Sequence, residues 1–424
     1  MRRMVGCALA LVVVRLVLMA IVPVFEPSEA RYAAISANMA RSGDFVVPYF
    51  THNLQYQSFD GKPPLVFQAG GFFCRIFGVN EFAVRLFPFL SALLVLALLY
   101  HAVKRESDTE TGRLAVLVCA TSTAFYAAAG ISMTDMTLTC CVAGALLMYR
   151  CFLAAQAIGY AAAVAALLGA GMIVKGPVSL VMFGLPVLLD AIVNRRWRGI
   201  FNWRWLAVAP IYLAVAVPWF VLVEQRNPGS VWYFFYNENF MRFISHDYGD
   251  KYGAGREAFR GVSILWALVA TLPWSLVPAV RGIRSWRNWR VLFAARWSFE
   301  VLAVVAIVGF WCLTSRVLLY YLFPVIPLFA AGFVLHYGKE RLVRLVPWCA
   351  ALTLAVTTVA LVGGMFFSDK MQGAKTEFSF KENHYAYEFY HGRPTEEQLK
   401  RARDVRQKWI EMRRAYKSRK AGEK

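Results

Sequence analysis

Spaced cysteine pairs are missing. The eight cysteines include no C-x-x-C, and Cys7, Cys119, Cys140, Cys141, Cys151, Cys312 and Cys349 lie in apolar runs. Neither zinc ligation nor a disulfide framework is therefore suggested. A glycine-rich phosphate cradle of the P-loop type is absent, as are internal repeats and low-complexity linkers, which leaves one membrane domain with a tail. No clean small-x-small cleavage site follows the first apolar run, so that run is expected to be an uncleaved helix rather than a signal peptide. Acidic residues are the scarcer charge, 26 against 46 Lys and Arg, for a formal net charge of +20. Such an excess can serve nucleic acid, but here the basic residues form short clusters between apolar runs. That is the pattern of cytoplasmic membrane loops, and no nucleic-acid partner is expected.

What the chain has in abundance is apolar surface. Of its 424 residues 58% are hydrophobic, with a mean hydropathy of +0.47, far from a soluble profile. Apolar runs of roughly 17 to 25 residues recur, each long enough to span a hydrocarbon core. The expected fold is all-α and integral to the membrane, a polytopic bundle of about eleven transmembrane helices. Basic clusters at Lys104 and Arg105, at Arg195, Arg196 and Arg198, from Arg281 to Arg296, and at Lys339, Arg341 and Arg344 mark the inside turns. Residues 1–367 form the transmembrane domain, with extracytoplasmic loops at 25–82 and 226–260, and 368–424 form a basic C-terminal tail. Alternation places the tail outside, while its Lys and Arg content favours the cytoplasm. The stretch Glu396 to Ala415 suits a charged helix lying on anionic headgroups. Arg15 interrupts the first span and requires either a structural partner on another helix or a cavity.

The polar interlude from Phe25 to Pro64, FEPSEARYAAISANMARSGDFVVPYFTHNLQYQSFDGKPP, mixes carboxylates and cations between two apolar runs. Four motifs follow one another here: E-P-S-E-A-R-Y-A, S-G-D-F-V-V-P, D-G-K-P-P-L and F-G-V-N-E-F-A-V-R-L. Their order resembles the first extracytoplasmic loop of the membrane-embedded glycosyltransferases fed by polyprenyl-phosphate sugars, including lipid A aminoarabinose transferases and protein O-mannosyltransferases. Further likeness lies in Thr134-Asp135, Lys175-Gly176-Pro177, the block N-E-N-F-x-R-F-x-x-H, and S-R-x-x-x-Y-Y-x-x-P-x-x-P, and it extends to about Pro327. One departure stands out. Many members carry Asp-Glu in the first motif, whereas this chain has Ser28-Glu29.

The resemblance implies a GT-C-like fold and inverting transfer of a sugar from a polyprenyl-phosphate carrier to a lipid, glycan or protein acceptor. A phosphate leaving group needs electrostatic stabilisation more than a proton, and Arg and Lys supply it. Arg31, Lys62, Lys175, Arg242 and Arg316 are the candidates. The acceptor hydroxyl must lose a proton, which a carboxylate within reach can take. Glu29 is the first candidate base and Asp135 the second, with Glu26, Asp60, Asn237 and Glu238 in acceptor or secondary roles.

Plainer readings stand beside these. Asp135 can be a helix N-cap, Lys175 can snorkel to the interface, and Arg316 can be an interface anchor. Related aminoarabinose transferases pair a His with a Glu beside the lysine of E-K-P, which makes His246 with Asp60 a candidate divalent metal site. Here the carboxylate is shifted by one, in Asp60-Gly61-Lys62, and a lone loop histidine is more often solvated. No cofactor is required by the motifs. The expected location is the bacterial inner membrane, multi-pass among membrane lipids, with the site facing the periplasm. The alternatives are a transporter or flippase, whose key residues more often lie at the midplane of repeated halves, and a non-catalytic binder of lipid-linked sugars.

Overall fold

The structure is a computed structural model, which describes residues 2–244, 251–252, 257–277, 298–337, 339–367 and 385–422. It is helical almost throughout. Among the described residues six helices are long and apolar enough to cross a membrane: Met4–Ile21, Glu81–Glu106, Thr134–Ala155, Ile158–Lys175, Arg204–Arg226 and Lys339–Gly363. The chain is a multi-pass membrane protein. Shorter apolar helices, Val178–Val193, Phe299–Cys312 and Val325–His336, pack among them. The Thr134–Ala155 helix runs through the middle and is buried along most of its length, against Glu81–Glu106 on one flank and Ile158–Lys175 on the other. The apolar run that follows Arg113 is interrupted at Thr121 and Ser122. Their hydroxyls donate back to the Leu117 and Val118 carbonyls, and the buried Trp274 indole donates to Thr121 Oγ1 at 2.9 Å. Side-chain competition for backbone carbonyls of this kind bends helices. The basic cluster Arg281 to Arg296 lies outside the described residues.

The first loop, the polar segment between the first two spans, is itself folded. Glu29 enters the first turn of the Ser28–Ser42 helix, where a carboxylate suits the helix dipole, and Gly43 ends it at φ +81°. Tyr49–His52 and Gln55–Ser58 then form an antiparallel hairpin. The Leu65–Phe77 helix packs back on Ser28–Ser42 at Gly70, where a Cβ would come within 2.6 Å of Ser36 Oγ. Small residues let the two backbones approach closely.

Part of the tail belongs to this unit. The Tyr385–His391 helix lies on Ser28–Ser42, with buried Glu388 accepting from Asn38 Nδ2 at 2.7 Å and from the Thr51 amide at 2.8 Å. Arg41 donates to the Glu388 and Phe389 carbonyls, and Glu26 accepts from the Ala386 amide at 2.6 Å. These contacts put the tail at the same end of the bundle as the first loop. In the Glu396–Gly422 helix, Leu399 and Ala402 cover Leu54, which sits at the hairpin turn with φ +62°. A leucine in that conformation persists only when its surroundings hold it.

Two buried arginines fix the first helix. Arg15 donates to the Ala127 carbonyl at 2.6 Å and lies over the Tyr126 ring, so its partners are structural. Arg85, 1% exposed, meets Glu29 through Nε at 2.7 Å and Nη2 at 3.0 Å, and its remaining donors reach the Met19, Val22 and Pro23 carbonyls. Removing one member of such a pair leaves an uncompensated buried charge, at a cost of about 3–5 kcal/mol. Arg85→Met is expected to lower the thermal midpoint of the detergent-purified protein sharply. Combining it with Glu29→Leu should restore much of the loss, as melting curves of the three variants will show.

Candidate active site

A cavity of about 350 Å³ opens where the first loop meets the ends of the central helices. Its wall carries Arg31, Lys62, Asp135, Lys175, Glu238 and Arg242 among the charged residues, with Ser28 and the aromatic rings of Tyr32, Phe59, Tyr252, Tyr320 and Tyr321. Six of the residues singled out from sequence therefore converge on one space.

Asp135 occupies the first turn of the Thr134–Ala155 helix. Met133 holds the N-cap position and no side chain caps it, so the capping role considered for Asp135 is not what it does. Its Oδ1 instead accepts from Lys175 Nζ at 2.6 Å, with the carboxylate 4% and the lysine side chain 10% exposed. Lys175 ends its own helix, a position that favours a cation. Its ammonium lies 4.3 Å from the centroid of the Tyr321 ring, close enough for cation–π attraction. Gly176 follows at φ +80°, and a Cβ there would fall 2.4 Å from the Phe234 ring. Only glycine fits that corner, which explains the Lys-Gly element in physical terms.

The opposite wall comes from the second loop. The Tyr233–Met241 segment winds as a π-helix, a form that recurs at functional sites, and it brings buried Glu238 to the cavity. Glu238 accepts from Arg242 at 3.0 Å and from the Tyr233 hydroxyl at 3.2 Å, with Lys62 Nζ 3.7 Å away. Burial pushes the Lys62 pKa down to about 8, against the pull of Glu238 and aided by the neighbouring Arg242 and Lys175 charges. Burial likewise raises the phenols of Tyr32 and Tyr252, which remain hydroxyl donors. Arg31 lies 5.0 Å from the Tyr385 ring of the tail helix, whose hydroxyl also meets His52 Nδ1 at 2.8 Å. The tail thus braces one cation of the cavity.

Other expected site residues lie elsewhere. Glu29 is 2% exposed and off the cavity wall. Its oxygens accept from Arg85 twice, from the Phe25 amide at 2.9 Å and from the Ser132 amide at 3.0 Å. Its carboxylate is thus fully engaged by donors of the protein itself. Asp60 accepts from Asn227, Ser230 and Lys251 and so fastens the second loop to the first. Glu26 holds the tail, and Arg316 pairs with Glu257 at 3.2 Å. Asn237 offers its carbonyl to the Arg242 amide. None of these four lines the cavity. His246 lies outside the described residues, among which no group of three or more His, Cys, Asp or Glu side chains is placed to hold a metal.

Sequence reasoning passed over Arg85 and the tyrosines. Arg85 stands in the fourth loop motif, at the start of an apolar span, where a charge demands a buried partner. Tyr320 and Tyr321 belong to the S-R-x-x-x-Y-Y element, in which charge alone points to the arginine.

Comparison with known proteins agrees with the motifs. Residues 61–222 match the family model described as dolichyl-phosphate-mannose-protein mannosyltransferase. The undecaprenyl phosphate-alpha-4-amino-4-deoxy-L-arabinose arabinosyl transferase of Edwardsiella ictaluri is 29% identical over 270 residues, covering 62% of this chain and 47% of that protein. The enzyme of the same name from Aeromonas salmonicida is 28% identical over 349 residues, 78% of this chain and 60% of its own length. The chain thus spans about half to three-fifths of these relatives. The crystal structure of ArnT from Cupriavidus metallidurans bound to undecaprenyl phosphate superposes with a TM-score of 0.76 at 22% identity, covering 95% of this chain and 87% of that one. The fold is of that kind, and the resemblance to polyprenyl-phosphate-sugar transferases seen in the motifs is borne out.

Lys62 supplies a pH signature. Its charge is present below about 8 and lost as the pH rises through that value, so affinity of this cavity for an anionic ligand should fall on the alkaline side. Equilibrium binding of polyprenyl phosphate as a function of pH should show this limb, and Lys62→Arg should remove it.

Proposed function

We propose that the chain is an inverting glycosyltransferase that moves a sugar from a polyprenyl-phosphate carrier to a hydroxyl or phosphate on a lipid, glycan or protein acceptor. The observation that carries this reading is the Asp135–Lys175 pair, set in a cavity walled by three further cations. The acceptor oxygen forms a bond to the anomeric carbon as the bond from that carbon to the carrier phosphate breaks. The electron pair leaves on the phosphate oxygen, and the new charge is met by Arg31, Lys62 and Arg242, already oriented before reaction. The acceptor proton passes to Asp135, whose carboxylate Lys175 holds in place. Glu29, the first candidate from sequence, has a positioning role in this mechanism through Ser132 and Arg85. No step requires a metal held by Asp60.

Sidedness follows from charge. Lys104, Arg105, Arg195, Arg196, Arg198 and Lys339 cluster at the helix ends away from the cavity, and basic turns of this kind face the cytoplasm. The reaction then takes place at the outer face of the bacterial inner membrane. A transporter reading gains no support from a site built at helix ends rather than on broken helices at mid-membrane.

Mass spectrometry of lipid A, envelope glycans and exported proteins tests the proposal, in cells lacking the chain and in cells carrying wild type or Asp135→Asn. Wild type should restore a sugar-sized mass on one fraction. Asp135→Asn should lower the transfer by roughly 10²-fold or more, the span of a lost general base. Full transfer by Asp135→Asn at equal protein level would overturn the role given to that residue.

A further inference from the structure

We infer that the transferred sugar carries no ammonium group, so that the donor is a neutral or acidic glycosyl phosphate lipid. The inference rests on the transferase reading above and concerns the charge balance of the same cavity.

Among the described residues the wall holds four cations, Arg31, Lys62, Lys175 and Arg242, and two carboxylates, Asp135 and Glu238, a surplus of two positive charges (4 − 2). Both carboxylates are committed. Asp135 Oδ1 meets Lys175 at 2.6 Å, and Glu238 is shared between Arg242 at 3.0 Å and Lys62 at 3.7 Å. Ser28 lines the wall with a neutral hydroxyl. A phosphodiester donor brings one negative charge, and the departing phosphate monoester brings up to two, which the surplus balances. An ammonium on the sugar would add a fifth cation in a small, largely buried space, where among the described residues Glu238 is already shared and Asp135 is the carboxylate left to turn to. That carboxylate is already bound by Lys175 and is needed for the acceptor proton. Like charges confined together in a poorly solvated site disfavour binding, whereas a hydroxyl or carboxylate at the same position meets donors. The named substrate of the arabinosyl transferase relatives is a 4-amino sugar. This chain therefore parts from them at the sugar, not at the lipid phosphate.

The test uses the purified full chain in lipid nanodiscs and three polyprenyl-phosphate donors: 4-amino-4-deoxyarabinose, the same sugar with its amine acetylated, and a uronic acid. Two quantities are read. Competition against labelled polyprenyl phosphate reports charge selection whether or not transfer occurs, and release of polyprenyl phosphate reports transfer. The acetylated and acidic donors should compete at least about 10-fold better than the amino donor near neutral pH, where the amine is charged. Ser28→Asp should narrow that ratio by adding a negative charge to the wall. An amino donor that competes as well as its acetylated form would overturn the inference. Release from no donor, with competition intact, would instead count against the transferase reading and leave the charge selection standing.

Discussion

The geometry of the site depends on one buried ion pair. Arg85, on the helix that leaves the first loop, grips Glu29 at the start of the loop's own helix and three carbonyls at the end of the first span. Glu29 in turn accepts from the Ser132 amide, three residues before Asp135. One guanidinium and one carboxylate therefore join the first span, the loop and the mouth of the central helix. Five donors from a planar, permanently charged group suit such a junction better than an ammonium does. A pair so deeply buried adds little net stability over an apolar substitute, but it fixes register, because any shift leaves charges unmet.

From that junction the cavity follows. The central helix delivers Asp135 at its N-terminus and its neighbour delivers Lys175 at its C-terminus, each terminus favouring the charge it presents. The second loop adds Glu238 and Arg242 through a π-helical turn, and the first loop adds Arg31 and Lys62. Asp60 fastens the two loops to each other, and the tail helix backs Arg31 through Tyr385. The outcome is a poorly solvated space with excess positive charge and one carboxylate facing it from a helix end. That arrangement suits departure of a phosphate more than binding of a nucleotide or passage of an ion.

Much of this was legible in the sequence. Apolar run lengths gave the membrane class, and the loop motifs gave the family likeness and six of the residues that line the cavity. The choice between Glu29 and Asp135 was not legible, because both are lone carboxylates beside a span and their difference lies in what faces them. Glu29 faces Arg85, 56 residues further along the chain, whereas Asp135 faces Lys175 and open space. Asp60, Glu26 and Arg316 were drawn to the site by their position in charged loops. Each instead meets a partner far away in sequence, at Lys251, Ala386 and Glu257. The tail looks like an appendage in the sequence because its charge hides the few residues that dock it. Tyr385, Glu388 and Leu399 carry that contact, too sparsely to form a periodic signal.

The central claim is that Asp135 acts on substrate while Glu29 only holds the frame. It is tested most directly by single-turnover release of polyprenyl phosphate from a bound donor, per folded molecule, in Asp135→Asn and in the paired variant Glu29→Leu with Arg85→Met. The account expects Asp135→Asn to lose turnover although its frame is intact, and the folded paired variant to lose only part of it through a loosened frame. Loss in the folded paired variant, with Asp135→Asn still active, would contradict the account and return the chemistry to Glu29.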